Sequence, residues 1–324
     1  MNIGLDIGYA ATKAVSGERR INLPSIVGTP DRARFSLNGA DSMILTLPNG
    51  NAVQVGQAAI MQSRFIDRQE DRDWIQSETY QALMLAALTE LTPATIDAVI
   101  VSGLPIAFYS DKDLLRGRLL GEHRVAREGR RAQLFRVTEA RIIPQPFGTL
   151  LAEALDNNGR ITDLPLAEGQ VGVIDCGGKT TNLLSVSRLA EIGHETASVN
   201  LGAWDVARAV GDWLADNYPG LDLRDHQLME AIIARKTTYY GEVVDLGAIV
   251  SETLRPMADQ VLAQAGQLWN GGAGLSAILV TGGGALLLGP QIMARFRHAR
   301  IVGDPVFANA LGYWKFAQRI ANSG

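Results

Sequence analysis

The sequence predicts an α/β fold built in two halves. Three observations carry that expectation. Short β-branched apolar runs alternate with stretches of helical spacing, the pattern of largely buried sheets covered by helices. The chain has 324 residues, about twice a typical domain length. One pattern, Asp-x-Gly-x-x-x-Thr, occurs twice, each time after an apolar strand at the start of a half.

The elements follow in order. Ile3-Gly4-Leu5-Asp6 is an apolar run ending at an acidic turn. After a polar stretch, Pro48-Asn49-Gly50-Asn51 marks a hairpin, because Asn and Gly both tolerate positive φ. Ser77 to Leu91 places apolar residues at helical spacing. Ala98-Val99-Ile100-Val101, closed by Gly103-Leu104-Pro105, reads as a buried strand. A break at Pro144 precedes a helical stretch from about Pro146 to Leu155, and Asn157-Asn158-Gly159 through Gly169 reads as a loop joining the halves. Val171 to Asp175 is the next buried strand, and Ala203 to Asn217 and Leu228 to Ile233 are helical. Ala277-Ile278-Leu279-Val280 is a strand running into Thr281-Gly282-Gly283-Gly284, and Pro305 to Ile320 is a terminal helix.

With 47% apolar and 20% charged residues, the chain has enough apolar surface for a large core. A net charge of −4 excludes a general attraction to nucleic acid or anionic membrane. The five arginines between Arg124 and Arg136 read as a solvated loop or helix face. The single cysteine, Cys176, allows no intrachain disulfide and fits a reducing compartment. No apolar run is long enough to span a membrane, and the N-terminus opens directly as a strand without a signal pattern. The expected location is the cytoplasm.

The repeat carries the chemistry. Its copies are Asp6-Ile7-Gly8-Tyr9-Ala10-Ala11-Thr12-Lys13 and Asp175-Cys176-Gly177-Gly178-Lys179-Thr180-Thr181-Asn182. Glycine lets the turn bring its backbone close to a ligand, and successive N–H groups in such a turn favour anions. The hydroxyls of Thr12, Thr180 and Thr181 can donate to phosphate, and Lys13 and Lys179 add positive charge. Asp6 and Asp175 would repel phosphate unless a hydrated Mg²⁺ lies between, an ion that takes one or two carboxylates plus waters and phosphates. A single Asp-x-Gly turn is most simply a hairpin whose Asp bonds its own backbone. Two copies at one spacing favour phosphate binding.

Gly282, Gly283 and Gly284 at a strand end can admit a ligand against bare backbone, or can form a turn entering a helix. They complete neither a Walker A loop nor a full Rossmann Gly-x-Gly-x-x-Gly. Cys176 reads as a small buried residue, since no His stands near it, and His123, His194, His226 and His298 lack metal-ligand spacing.

A phosphate hairpin, a Pro-led helix, a second phosphate hairpin, a Gly-Gly-Gly loop and a second Pro-led helix, in that order, resemble the superfamily of actin, heat-shock chaperones and sugar kinases. Leu23-Pro24-Ser25, Val55-Gly56, Gly103-Leu104-Pro105, the Asp175 hairpin and Asp304-Pro305 are similar to the bacterial plasmid-segregation actins, the ParM/StbA group. The resemblance implies an actin-like fold of two duplicated α/β domains with a nucleotide cleft between them. The first would cover 1–155 plus 305–324, with a small insert at about 22–76. The second would cover 156–304, with an insert at about 206–276.

The same resemblance implies roles. Asp6 and Asp175 would hold the water shell of Mg²⁺. Gly8, Tyr9, Thr12 and Lys13 would line one side of the phosphates of ATP, and Gly177, Gly178, Lys179 and Thr180 the other. Gly282, Gly283 and Gly284 would lie by the ribose and α-phosphate, with Arg235 and Lys236 flanking the adenine. GTP is not distinguished, because glycine loops read phosphate and ribose better than the base. Gln145 is either the residue that orients the attacking water or a polar loop residue between two prolines. Asn182 stands where the family often has an acid, which would make hydrolysis slower or differently arranged. The helices led by Pro146 and Pro305 carry Gly148, Ala152, Ala308 and Gly312, small residues that suit either a hinge or close packing.

The expected activity is slow ATP hydrolysis coupled to head-to-tail filament assembly and disassembly. Its use would be plasmid segregation or another cytoskeletal task, reached through an adaptor protein and without direct nucleic-acid contact. A small-molecule kinase is the alternative, against which stands the lack of an obvious carboxylate base. A non-polymerising ATP-dependent switch is the third.

Overall fold

The computed structural model describes residues 1–32, 42–67 and 72–323 and divides into two compact units, Met1–Asp163 with Phe307–Gly324, and Leu164–Val306. The insert expected over about 22–76 includes 33–41 and 68–71, which lie outside the described residues.

The first unit opens with β1 (Asn2–Ile7), β2 (Ala11–Ser16) and β3 (Arg19–Pro24), an antiparallel meander. Then come β4 (Val27–Gly28), β5 (Ile44–Thr46), β6 (Ala52–Val55), helix α1 (Gln57–Gln62) and β7 (Ile66–Asp67). The β5–β6 hairpin turns over Pro48-Asn49-Gly50, the Gly50 N–H donating to the Leu47 carbonyl at 2.9 Å and Gly50 alone of the three taking a positive φ, 89°. Helix α2 (Glu78–Leu91) starts at Ser77, whose hydroxyl accepts the Tyr80 N–H at 3.0 Å. It is buried along nearly its whole length and packs on the meander. The chain continues through β8 (Ile96–Leu104), α3 (Lys112–Leu119), β9 (Gly121–Arg127), β10 (Gln133–Pro144) and α4 (Phe147–Ala154).

The central order is β3-β2-β1-β8-β10-β9, with β8 parallel to both β1 and β10, and β9 leads on to β5, β6, β4 and β7. The arginine-rich segment is therefore a β-hairpin, with Arg124, Arg127 and Arg136 on its strands and Arg130 and Arg131 in its connecting loop. Its arginines find partners: Arg127, buried, pairs with Glu90, and Arg136 pairs with Asp97 at 3.2 Å and Glu122 at 3.1 Å.

The second unit repeats the plan. The stretch expected as loop up to Gly169 contains α5 (Leu164–Glu168), held because Leu166 and Ala167 are buried. Next come β11 (Gln170–Cys176), β12 (Thr181–Ser187), β13 (Ala190–Glu191) and β14 (Ala197–Val199). Helices α6 (Ala203–Asn217) and α7 (Asp225–Ala234) lead to the separate hairpin of β15 (Lys236–Tyr239) and β16 (Glu242–Asp245). Then follow α8 (Gly247–Leu268), β17 (Ala277–Thr281), α9 (Ala285–Arg295) and β18 (Ala299–Ile301). β11 runs antiparallel to β12 and parallel to β17, and β17 parallel to β18, the same sequence of directions as β2-β1-β8-β10. The core of this unit gathers α6, α8 and α9 around Ile174, Val210, Val261 and Val280.

The chain ends in α10 (Ala308–Ser323), which belongs to the first unit. It crosses α4 so closely that a Cβ on Gly312 would overlap the Gly148 carbonyl oxygen. Pro305, expected in the first turn of this helix, precedes it. Its carbonyl instead accepts the Gly282 N–H at 3.0 Å and the Thr281 hydroxyl at 3.1 Å.

Candidate functional site

Each unit places one glycine hairpin at the end of its first strand, and the two are built alike. In the first, the Gly8 N–H donates to the Ala11 carbonyl at 3.1 Å; in the second, the Gly177 N–H donates to the Thr180 carbonyl at 2.9 Å. The carboxylates that open them, Asp6 and Asp175, are each only 3% exposed. The threonines that close the pattern, Thr12 and Thr181, are fully buried.

Both threonine hydroxyls have partners within the protein. The Thr12 hydroxyl lies 2.9 Å from the Ser25 hydroxyl, and the Thr181 hydroxyl donates to the Leu201 carbonyl at 2.9 Å. Position 12 pairs with Leu23 and position 181 with Val199, and each hydroxyl finds its partner in the residues just past that neighbouring strand. They brace the hairpins. Gly8, Gly177, Gly178, Lys179 and Thr180 stay partly exposed. The Tyr9 ring turns into the core, 4.9 Å from Trp74, leaving its backbone for the turn.

In the first unit the structure brings Asp6, Lys13 and Gln145 together. The Gln145 Nε2 donates to Asp6 Oδ1 at 2.9 Å, and Lys13 Nζ lies 3.8 Å from Asp6 Oδ2. Gln145 is held from both sides: its N–H donates to the Leu104 carbonyl at 2.8 Å, and its carbonyl accepts the Tyr313 hydroxyl at 3.0 Å. It is thus a fixed side chain aimed at the buried carboxylate.

In the second unit the glycine loop abuts the hairpin. Gly282 has φ of 88°, and a Cβ there would run into Asp175 and the Cys176 carbonyl, so only glycine fits. The Gly284 N–H donates to the Cys176 carbonyl at 2.8 Å, while Gly283 is open to solvent. The first N–H groups of α6 hold the hairpin from behind, Ala203 donating to the Gly177 carbonyl at 3.0 Å and Trp204 to the Gly178 carbonyl at 2.9 Å. Burial pushes the Cys176 thiol well above its ordinary pKa, and Asp175 adds to the shift. Asn182 is buried, its side-chain oxygen accepting from Ser198 at 2.7 Å. Arg235 and Lys236 are exposed and stand apart from the hairpin on the chain, at the entry to β15. Arg235 donates to Ser251 Oγ at 2.7 Å, tying α7 to α8.

Ser25, Tyr313 and Thr281 were missed as site residues. Ser25 carried a signal, since Leu23-Pro24-Ser25 follows the first meander; Tyr313 and Thr281 act through long-range contacts that no local motif reports. Among the described residues no group of three or more His, Cys, Asp or Glu forms a metal cluster, and no helix is long and apolar enough to cross a membrane.

A duplicated α/β unit whose first strand ends in an Asp-Gly hairpin defines the actin-like class of proteins. The model of the actin-like proteins N-terminal domain matches residues 4–148, and that of the archaeal actin homologue MreB-like C-terminal domain matches residues 173–294. The chain belongs to the actin-like superfamily. Its fold resembles a non-polymerisable quadruple mutant of pCBH ParM, at 23% identity and a TM-score of 0.82, covering 98% of this chain and 99% of that one. A 15-stranded ParM filament from Clostridium botulinum is similar at 24% identity and TM-score 0.81, with the same coverage. The archaeal actin homologue Ta0583 in complex with ADP is similar at 22% identity and TM-score 0.79, again over 98% and 99% of the two chains. No curated protein matches significantly.

Proposed function

We propose that this protein is an ATP-binding and ATP-hydrolysing actin homologue that assembles head-to-tail into nucleotide-dependent filaments. The observation that carries the reading is the pair of hairpins closed by the same internal backbone bond, each with a buried carboxylate at its mouth and partly exposed glycine backbone beyond it. Backbone N–H groups of Tyr9, Gly178 and Lys179 are the phosphate donors in this reading, with Lys13 and Lys179 supplying charge. The ADP complex of Ta0583 and the ParM filament support nucleotide and self-assembly as the ligand classes. Glycine backbone reads phosphate in ATP and GTP alike, and ATP is the nucleotide we assign.

The donor set fits magnesium. Asp6 and Asp175 are hard oxygen ligands suited to a hydrated ion that keeps waters and phosphate oxygens. When bound, the ion would neutralise phosphate charge. Gln145 gives its side-chain nitrogen to Asp6, which leaves its amide oxygen to accept a hydrogen bond from a water and so orient it. An amide is no strong base, so hydrolysis is slow. Gly282, Gly283 and Gly284 would border the ribose. Arg235 and Lys236 remain our assignment for the adenine edge. Open filaments follow from a heterologous contact whose rotation does not close. Segregation of plasmid DNA through an adaptor protein is the task we assign.

The test is sedimentation and light scattering of the purified protein over a concentration series, with Mg²⁺ and ATP or a slowly hydrolysed analogue. Pelleting above a threshold concentration, abolished by Asp175→Ala, is expected. ATP binding with no assembly at any concentration would remove the filament claim and leave the nucleotide claim standing.

A further inference from the structure

The carbonyls of the second hairpin are held from behind by the start of α6, but among the described residues no helix start donates to the carbonyls of the first. There the chain runs from β3 through Ser25 into β4. Ser25 supplies two bonds of its own there. Its hydroxyl donates to the Gly8 carbonyl at 2.6 Å, and its N–H donates to the Ala10 carbonyl at 3.1 Å. Gly8 and Gly177 occupy the same place in the repeat, so the Ser25 hydroxyl does for Gly8 what the Ala203 N–H does for Gly177.

Proton accounting sharpens this. A serine hydroxyl has one proton and two acceptor sites. The Ser25 proton is committed to Gly8, so in the 2.9 Å contact with Thr12 the threonine is the donor. Thr12 thereby orients Ser25, and Ser25 orients the turn. Both are buried, Thr12 completely and Ser25 to within 3%. In a planar trans peptide the C=O and the following N–H point in opposite directions. Fixing the Gly8 carbonyl toward Ser25 therefore turns the Tyr9 N–H to the other side of the turn, away from Ser25.

We propose that Ser25 is the positioning residue of the first phosphate hairpin: it holds the Gly8–Tyr9 peptide so that its N–H faces a nucleotide phosphate, with Thr12 setting the Ser25 rotamer. This rests on the nucleotide reading above. Ser25 touches no ligand and acts only through the Gly8 carbonyl.

The experiment is calorimetric titration of wild type, Ser25→Ala and Thr12→Val with a slowly hydrolysed ATP analogue plus Mg²⁺, and separately with adenosine, which carries no phosphate. Ser25→Ala is expected to weaken analogue binding about tenfold, the scale of one hydrogen bond to a charged group's binding loop, with adenosine affinity unchanged. Thr12→Val keeps the Ser25–Gly8 bond, so its loss is expected to be smaller. Unchanged analogue affinity in Ser25→Ala overturns the inference alone. An equal loss for analogue and adenosine also overturns it, because general loosening weakens both. Wild type that binds no analogue overturns the nucleotide reading and this inference with it. Should Ser25→Ala fail to fold, Ser25→Cys, with a weak thiol donor in place of the hydroxyl, reads the same difference.

Discussion

Cys176 lies next to Asp175 and opens a hairpin of the kind that gathers anions, yet its thiol is fully buried and its pKa raised by burial and by the neighbouring carboxylate. It holds its proton where a reactive cysteine would lose it. Thiol reagents at neutral pH should therefore leave native protein unlabelled and modify one thiol after denaturation. Rapid labelling of the native state would contradict the described burial. Tyr80, deep beneath Asp6, is shifted in the same direction, chiefly by burial. Both groups bind their protons more tightly folded than unfolded, so the unfolded chain releases them first. Native stability is expected to be unaffected by them at neutral pH and to fall as pH climbs past their ordinary values of 9.0 and 10.0. Denaturant midpoints between pH 8 and about 11 check the sign.

At the scale of elements, α4 and α10 depend on the absence of side chains at their crossing. Gly312 lies against the Gly148 carbonyl, and Gly148 against Asn309 and the Tyr313 ring. Asn309 adds a bond, its side-chain oxygen accepting the Thr149 N–H at 3.1 Å and hydroxyl at 2.8 Å. Lys315 donates to the Ala152 and Leu155 carbonyls at the end of α4, satisfying groups that a helix C-terminus leaves open. Gly312→Ala should cost about 1–3 kcal/mol or more, because backbone rather than a movable side chain is in the way. A lowered thermal midpoint checks this, and an unchanged one would mean the helices can separate freely.

The small residues of both helices were visible in the sequence, as were the strands ending in Asp6, Asp175 and Thr281. Their periodicity and glycine punctuation are local. No helix is expected from the sequence at α8 or α9, and each holds an internal proline, Pro256 and Pro290. Buried faces such as Val250, Leu254, Val261 and Leu288, Ile292 override the proline penalty. Pro305 misled in the opposite sense: it looked like a helix start and instead serves the glycine loop. The Asp6–Gln145 contact spans positions 139 apart in the chain, a distance no local pattern reports.

For the whole molecule, one plan is used twice, but the two units are completed differently. The second is one continuous segment. The first is discontinuous, closed by α10 packing on β1 and β8, where Val15, Val101, Ala310, Tyr313 and Ala317 are fully buried. A chain ending at residue 306 should lose the first unit's cooperative melting transition and keep that of the second. Calorimetry with limited proteolysis reads both, and two intact transitions would show that α10 is dispensable.

The return of α10 also has a consequence in time. A ribosome makes the chain from its first residue, and domains ordinarily fold in the order they emerge. Here the order is inverted. The later segment can close while the earlier one, its apolar faces at Val15 and Val101 still bare, waits for α10 to be translated. Until α10 has been made, the nascent N-terminal sheet is the part that needs shielding.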